Sequence, residues 1–295
     1  MWFPLALVAL SMLVSRRSVE KGLSSKVDSL AMAWLQQLFA LPFIMLTLFF
    51  AHFYMPQELS SNFWAYMAVY VVCCAVDIYC YFKALSMADI SYVAPLLSLV
   101  AVGNIVGAYV VLGQVPSWWG FLGAVLIVAG AYTIHASKKR QAGPTHDYAK
   151  VLGIVFILVV VRSYFSNIEV FMLREANPTT FNFYSSLLTI PVLLVASTFI
   201  ARQKKPAGYW KKVRLDAKKW SGLLLFIGLT YTINMLATYQ AKLIGPNAGY
   251  VAAVKSAQVL PMMFIGMVFF KEAITKVQWL ATFLIICGLI ALGVN

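Results

Sequence analysis

Residues 81–132 read YFKALSMADISYVAPLLSLVAVGNIVGAYVVLGQVPSWWGFLGAVLIVAGAY, and the chain states this plan twice. Moved 158 positions without a gap, the stretch falls on residues 239–290, YQAKLIGPNAGYVAAVKSAQVLPMMFIGMVFFKEAITKVQWLATFLIICGLI. Identical residues stand at 11 of the 52 positions: Tyr81, Leu85, Tyr92, Val93, Ala94, Ser98, Val110, Leu122, Leu126, Ile127 and Gly130. Identity at that level is modest for two leucine-rich segments, so the order of the parts carries the argument. Each copy opens on Tyr-Val-Ala, runs apolar, breaks at a polar step (Leu112-Gly113-Gln114 against Phe270-Lys271-Glu272) and runs apolar again to Leu-Ile-x-x-Gly. A second echo lies upstream at a shift of 149, where Glu20 meets Glu169 and Pro42 meets Pro191. A hydrophobic half-chain repeat is the signature of a transporter built by duplication.

The totals fix the solvent. The chain is 62% hydrophobic and 11% charged, with mean hydropathy +0.82, where a soluble domain carries roughly 25% charged residues. It is therefore read as an integral membrane protein. Its net charge of +13 would suggest nucleic acid in a soluble chain. Here the cations sit in short loops between apolar runs, where positive-inside topology and anionic head groups explain them. The four cysteines (Cys73, Cys74, Cys80, Cys287) all lie in apolar runs and form neither a disulfide frame nor a metal site. Residues 2–15 are as short as a signal-peptide core, but two arginines follow rather than precede them, so they are kept as the first span.

Ten candidate spans of about 20 apolar residues follow: roughly 3–21, 29–53, 63–86, 90–112, 117–136, 151–173, 178–201, 220–242, 247–270 and 276–294. Pro42, Pro95, Pro191 and Pro261 fall inside spans and free backbone carbonyls that kink a helix or face a cavity. Pro261 lies over Gly103 in the repeat, which predicts that both copies are loosened there. Residues 137–150 (SKKRQAGPTHDYAK) are the one linker-like stretch. The expected all-α fold is a five-helix repeat over 1–136, a linker loop over 137–150, and a second five-helix repeat over 151–295. Five is odd, so the second repeat enters the membrane inverted.

The charges give an orientation. Arg16, Arg17, Lys21, Lys26 and Lys83 follow the first and third spans, Lys138, Lys139, Arg140 and Lys150 lie in the linker, eight cations lie between 202 and 219, and Lys271 and Lys276 precede the last span. That face holds 19 basic residues, against Arg174 and Lys242 on the other. By the positive-inside rule the rich face is cytoplasmic and both termini are outside the cell membrane.

The repeated block resembles the drug/metabolite transporter superfamily, in its EamA-type branch of ten helices. The carrying residues are the Tyr-Val-Ala openings at 92–94 and 250–252, and the breaks Gly113-Gln114 and Lys271-Glu272, which are similar to the family's Gly-Glu before the last helix of each half. The runs 123–130 and 281–288 complete the likeness. Gln114 departs from the usual acid. The resemblance implies exporters of amino acids, metabolites, drugs or lipid-linked sugars, and it implies both termini in the cytoplasm, against the charge count.

Ionisable residues inside a span are costly and mark function. Asp77 is central in the third span, Arg162 in the sixth, and Lys255 lies inside the ninth. Arg162, Ser166 and Glu169 share one helical stripe, as do Thr230, Asn234 and Thr238, and Lys255 with Gln258. Tyr92 and Tyr250 are either gate contacts or members of an interfacial aromatic belt. The bland alternative pairs Arg162 with Glu169 and Asp77 with Lys255 as register-fixing salt bridges, while Arg16, Arg17 and Glu20 are expected to snorkel to the interface. Gly103/Gly107, Gly123/Gly130 and Ala281/Gly288 read as close helix packing, some of it between chains.

No HExxH, GxSxG or Walker loop is present, and His52, His135 and His146 have no metal spacing. No enzyme, metal or cofactor is expected. The reading is a secondary transporter, exporter or exchanger, of small polar or amphiphilic metabolites such as amino acids or organic anions. Asp77 and Glu169 would serve a coupling proton or ion, and Arg162 and Lys255 an anionic or zwitterionic substrate. The protein would work in the bilayer as monomer or homodimer. The rivals are a lipid-carrier translocase of the same fold and a membrane scaffold or sensor.

Overall fold

A computed structural model of the protein describes residues 2–50, 59–112, 117–141, 148–204, 208–244, 251 and 254–293. The described residues form helices in the order α1 Trp2–Ser24, α2 Ser29–Phe50, α3 Ser61–Met87, α4 Ile90–Leu96, α5 Leu99–Leu112, α6 Trp118–Gln141, α7 Tyr148–Glu175, α8 Pro178–Lys204, α9 Tyr209–Lys219, α10 Ser221–Ile244, α11 Val259–Phe269 and α12 Lys276–Gly293. Among them, eight helices are long and apolar enough to cross a membrane, with α4 and α5 counted as one span from Ile90 to Gly107. The apolar helices Val254–Phe269 and Lys276–Ala291 are shorter. Phe49, Phe50, Val195, Phe199, Val268 and Phe283 point outward, an apolar exterior that lipid solvates.

The packing is reciprocal between the halves. The helices α1 and α10 pack together, as do α3 and α7, α2 and α8, and α6 and α12. The last pair shows the direction of travel. A Cβ on Gly130 would stand 2.6 Å from the Ala281 carbonyl oxygen, and one on Gly288 would stand 2.7 Å from that of Gly123. As α6 runs from 123 to 130, its partner is met from 288 back to 281, so the two helices are antiparallel. The glycines are needed because backbone meets backbone. We expect Gly130→Val to lower the thermal unfolding midpoint by several degrees, the effect of overpacking by about 1–3 kcal/mol. An unchanged midpoint in detergent would show that the crossing can part freely.

The fourth span is broken, though not at Gly103. Pro95 cannot donate to the residue four before it, and the chain tightens beyond it. Ser98 N donates to Pro95 O at 3.0 Å, Val100 N to Leu97 O at 3.2 Å and Ala101 N to Ser98 O at 3.0 Å. The same three-residue spacing recurs ahead of Pro261, where Ala257 N donates to Val254 O at 3.2 Å, Gln258 N to Lys255 O at 3.3 Å and Leu260 N to Ala257 O at 3.3 Å. Gly103 sits in regular helix, where its missing side chain admits Ser163 of α7.

Three features at the ends of the helices go beyond the sequence reading. Glu272, in the polar break of the second copy, accepts from Ile90 N at 3.0 Å and Ser91 N at 2.9 Å. It thereby caps α4 of the first half with a charge that suits a helix N-terminus. Lys21 donates to the carbonyls of Leu85 and Ala88 at 3.0 and 2.6 Å, closing the C-terminal end of α3. The basic stretch after α8 also folds into a helix of its own, α9. It is entered through Gly208 at φ 87, a left-handed turn that glycine takes without strain.

Candidate functional site

The reciprocal packing leaves a cavity of about 190 Å³ at mid-height of the bundle, lined from α1, α2, α3, α7, α10 and the two broken segments. A water needs on the order of 10–15 Å³ by this measure, so the space holds a small metabolite or a cluster of waters. Six of the eight residues singled out in the sequence line it: Asp77, Arg162, Glu169, Asn234, Lys255 and Gln258. Tyr92 does not. It is fully buried elsewhere, where its hydroxyl meets His135 Nδ1 at 2.7 Å and its ring packs edge-on to Tyr148. Tyr250 lies outside the described residues.

The charges pair differently from the salt bridges considered above. Residues seven apart on one helix are separated by about 10 Å along its axis, so Arg162 and Glu169 each turn to another helix. Arg162 forks onto Asp77, with Nε to Oδ1 at 2.9 Å and Nη2 to Oδ2 at 2.7 Å. Lys242 Nζ donates to Glu169 Oε2 at 2.6 Å. Lys242, counted from sequence as a loop charge on the poor face, is thus an interior residue.

The end of α1 brings the largest correction. Arg16, Arg17 and Glu20 do not snorkel; they are 6%, 4% and 0% exposed. Arg16 Nε stands 3.1 Å from Glu20 Oε1, with its guanidinium 5.1 Å from the centre of the Tyr231 ring. Glu20 Oε2 accepts from the Tyr81 hydroxyl at 2.9 Å. Arg17 lies 5.0 Å from the Tyr81 ring centre and donates from Nη1 to Gln258 Oε1 at 2.5 Å. The physical reason is the inward face of α1. Arginine stacked on aromatic rings and given a carboxylate or amide oxygen finds partners there that lipid cannot supply.

A charge balance follows. Five cations line the cavity (Arg16, Arg17, Arg162, Lys242, Lys255), and three of them have carboxylates: Glu20, Asp77 and Glu169. Arg17 and Lys255 have neutral partners, Lys255 Nζ donating to Thr238 Oγ1 at 3.0 Å. Among the described residues no carboxylate lies within salt-bridge distance of either. The two are close neighbours in the fold, since Gln258, which receives Arg17, lies three residues beyond Lys255. Asn104 Oδ1 and Asn234 Oδ1 are buried there without hydrogen-bond partners, while Asn234 Nδ2 donates to Ala9 O at 2.6 Å.

The echoes of the sequence meet at this place. Glu20 and Glu169 flank the cavity, the first bonded to Tyr81 and the second beside Tyr239, which are the first identical pair of the repeat. Tyr70 and Tyr231 complete an aromatic wall with these two tyrosines. That signal was present in the sequence, but nothing there said which face of α1 or α3 turns inward.

A family model described as the EamA-like transporter family matches residues 2–135 and again residues 150–294. The chain belongs to that family. It is a multi-pass membrane transporter of the drug/metabolite type, and its described residues form helices and turns without a strand. The fold is also similar to that of a protein known from a crystal structure, at 13% sequence identity and a TM-score of 0.63, over 97% of this chain and 94% of that one. That likeness bears on the fold alone. No curated protein matches the chain.

Proposed function

We propose that this EamA-family member is a secondary transporter of small organic anions. The substrate binds in the mid-height cavity, with Arg17 and Lys255 as its anchors. The observation that carries the reading is the excess of two cations, the buried Arg17 and the half-buried Lys255, over the carboxylates around that cavity. A charge buried at membrane depth costs several kcal/mol unless it is compensated, and a bound carboxylate or phosphate supplies the compensation. Asn104, Asn234 and the tyrosine wall then fix the substrate's neutral part. A scaffold gains nothing from such an excess, because a dry interior favours complete pairing.

Alternating access would come from two inverted repeats, 1–136 and 151–295, rocking about the cavity, with ten spans in all. The antiparallel crossing of α6 and α12 and the matched breaks at 97–98 and 257–258 support that arrangement. Asp77 and Glu169, already paired to cations, would adjust the charge of the site when the coupling proton or ion changes. The basic loops would face the cytoplasm and both termini the outside.

The test is a thermal-shift screen of the purified transporter against matched sets of organic anions, amines and neutral isosteres, followed by proteoliposome flux with the hits. Anions are expected to raise the midpoint by several degrees at saturation, and amines to leave it unchanged. Stabilisation by amines and not by anions would overturn the reading.

A further inference from the structure

We propose that α9 is a docking surface for anionic phospholipid head groups at one membrane face. It stands apart from the transport cavity and does not depend on what that cavity binds. The helix joins the candidate spans Pro178–Arg202 and Ser221–Ile244, so it lies at the level where both leave the bilayer. Its sequence, YWKKVRLDAKK, divides by helical spacing. Tyr209 and Val213, four apart, are buried against the bundle. Trp210, Arg214 and Lys218 form one exposed row, and Lys211, Leu215 and Lys219 form the next.

The inner side of α9 is fastened. The Tyr209 hydroxyl donates to Asp28 Oδ1 at 3.2 Å, and the same oxygen accepts from Leu30 N at 3.0 Å at the start of α2. Burial, and then the Asp28 carboxylate, push the Tyr209 phenol well above its ordinary range, so it stays a donor at any physiological pH. Trp210 packs on Trp34, and Lys26 stands 4.7 Å from the centre of the Trp220 ring. The helix therefore cannot roll, and its outward rows keep their aspect.

Charge complementarity decides the occupant. Lys211, Lys212, Arg214, Lys218 and Lys219 are all exposed, against the single acid Asp216. Trp210 and Leu215 are 42% and 59% exposed within the same rows. Cations interleaved with a tryptophan and a leucine suit an interface where phosphates lie beside acyl chains. An acidic protein partner would use the cations but leave Trp210 and Leu215 in water. The lipid surface satisfies both sets.

The experiment uses full-length protein in nanodiscs of phosphatidylcholine with and without phosphatidylglycerol, with retained lipids counted by native mass spectrometry. The wild type is expected to retain phosphatidylglycerol at least tenfold over phosphatidylcholine. The variant Lys211→Gln/Lys212→Gln/Lys218→Gln/Lys219→Gln should lose that preference while keeping its phosphatidylcholine. The charge-conserving change of the same four lysines to Arg should keep it, which separates lost charge from lost fold. Equal retention by wild type and the Gln variant would overturn the proposal. So would lysine-dependent binding of a soluble polyglutamate peptide without any phosphatidylglycerol preference, which would point to an acidic protein instead.

Discussion

In the Lys255→Met variant, anion flux into proteoliposomes should fall about 100-fold while the folded protein becomes more stable. Both effects have one cause. Lys255 is surrounded by Thr238, Lys242 and the arginines of α1, with no carboxylate of its own among the described residues. Removing one member of a desolvated, hydrogen-bonded charge pair costs about 2–5 kcal/mol, which at about 1.4 kcal/mol per decade is 30-fold or more in affinity. The same substitution relieves the folded protein of an ill-compensated ammonium. Methionine of similar reach should raise the unfolding midpoint by a few degrees, as when buried ionic groups give way to apolar ones. Lys255→Arg should keep measurable flux. Unchanged flux in Lys255→Met would remove Lys255 from the site, and a lowered midpoint would mean that its bond to Thr238 outweighs its desolvation.

The largest loss of stability is expected from Asp77→Asn. The Arg162–Asp77 fork is bidentate and lies at the middle of two antiparallel helices. Taking away the buried Asp77 leaves a half-buried guanidinium uncompensated at membrane depth, a change that costs about 3–5 kcal/mol when a buried pair is broken. The midpoint of a protein this size should drop by about 5–8 °C. Removing both charges in Asp77→Asn/Arg162→Leu should return most of it, because the penalty belongs to the orphaned charge rather than to the lost bond. Thermal unfolding of the three variants in one detergent decides the matter. A double variant as unstable as the single one would mean that Arg162 is held by groups other than Asp77.

Much of the site was legible because the bilayer sets a severe rule: polar residues at mid-span need a reason. That rule selected Asp77, Arg162 and Lys255, and helical spacing added Glu169, Asn234 and Gln258; all six line the cavity. It failed for Arg16 and Arg17, which stand near the end of their span, where snorkelling is equally cheap. Tyr92 came from a different signal, the Tyr-Val-Ala opening that it shares with Tyr250, and its hydroxyl meets His135 away from the cavity. Helix α9 was hidden because a charge-rich loop and a charge-rich surface helix have the same composition. Only the spacing of Tyr209 and Val213 tells them apart.

By itself the sequence determined the solvent, the helical class and the duplication. Each of these follows from quantities summed along the chain: apolar content, run length and self-similarity. The tertiary structure decided which cation meets which carboxylate, because that choice turns on the facing of helices far apart in sequence. Asp77 and Arg162 are 85 residues apart, and Arg17 and Gln258 are 241 apart. Only when those faces close does the count of carboxylates come up short by two, and that shortfall is a property of the packed bundle, not of any one helix.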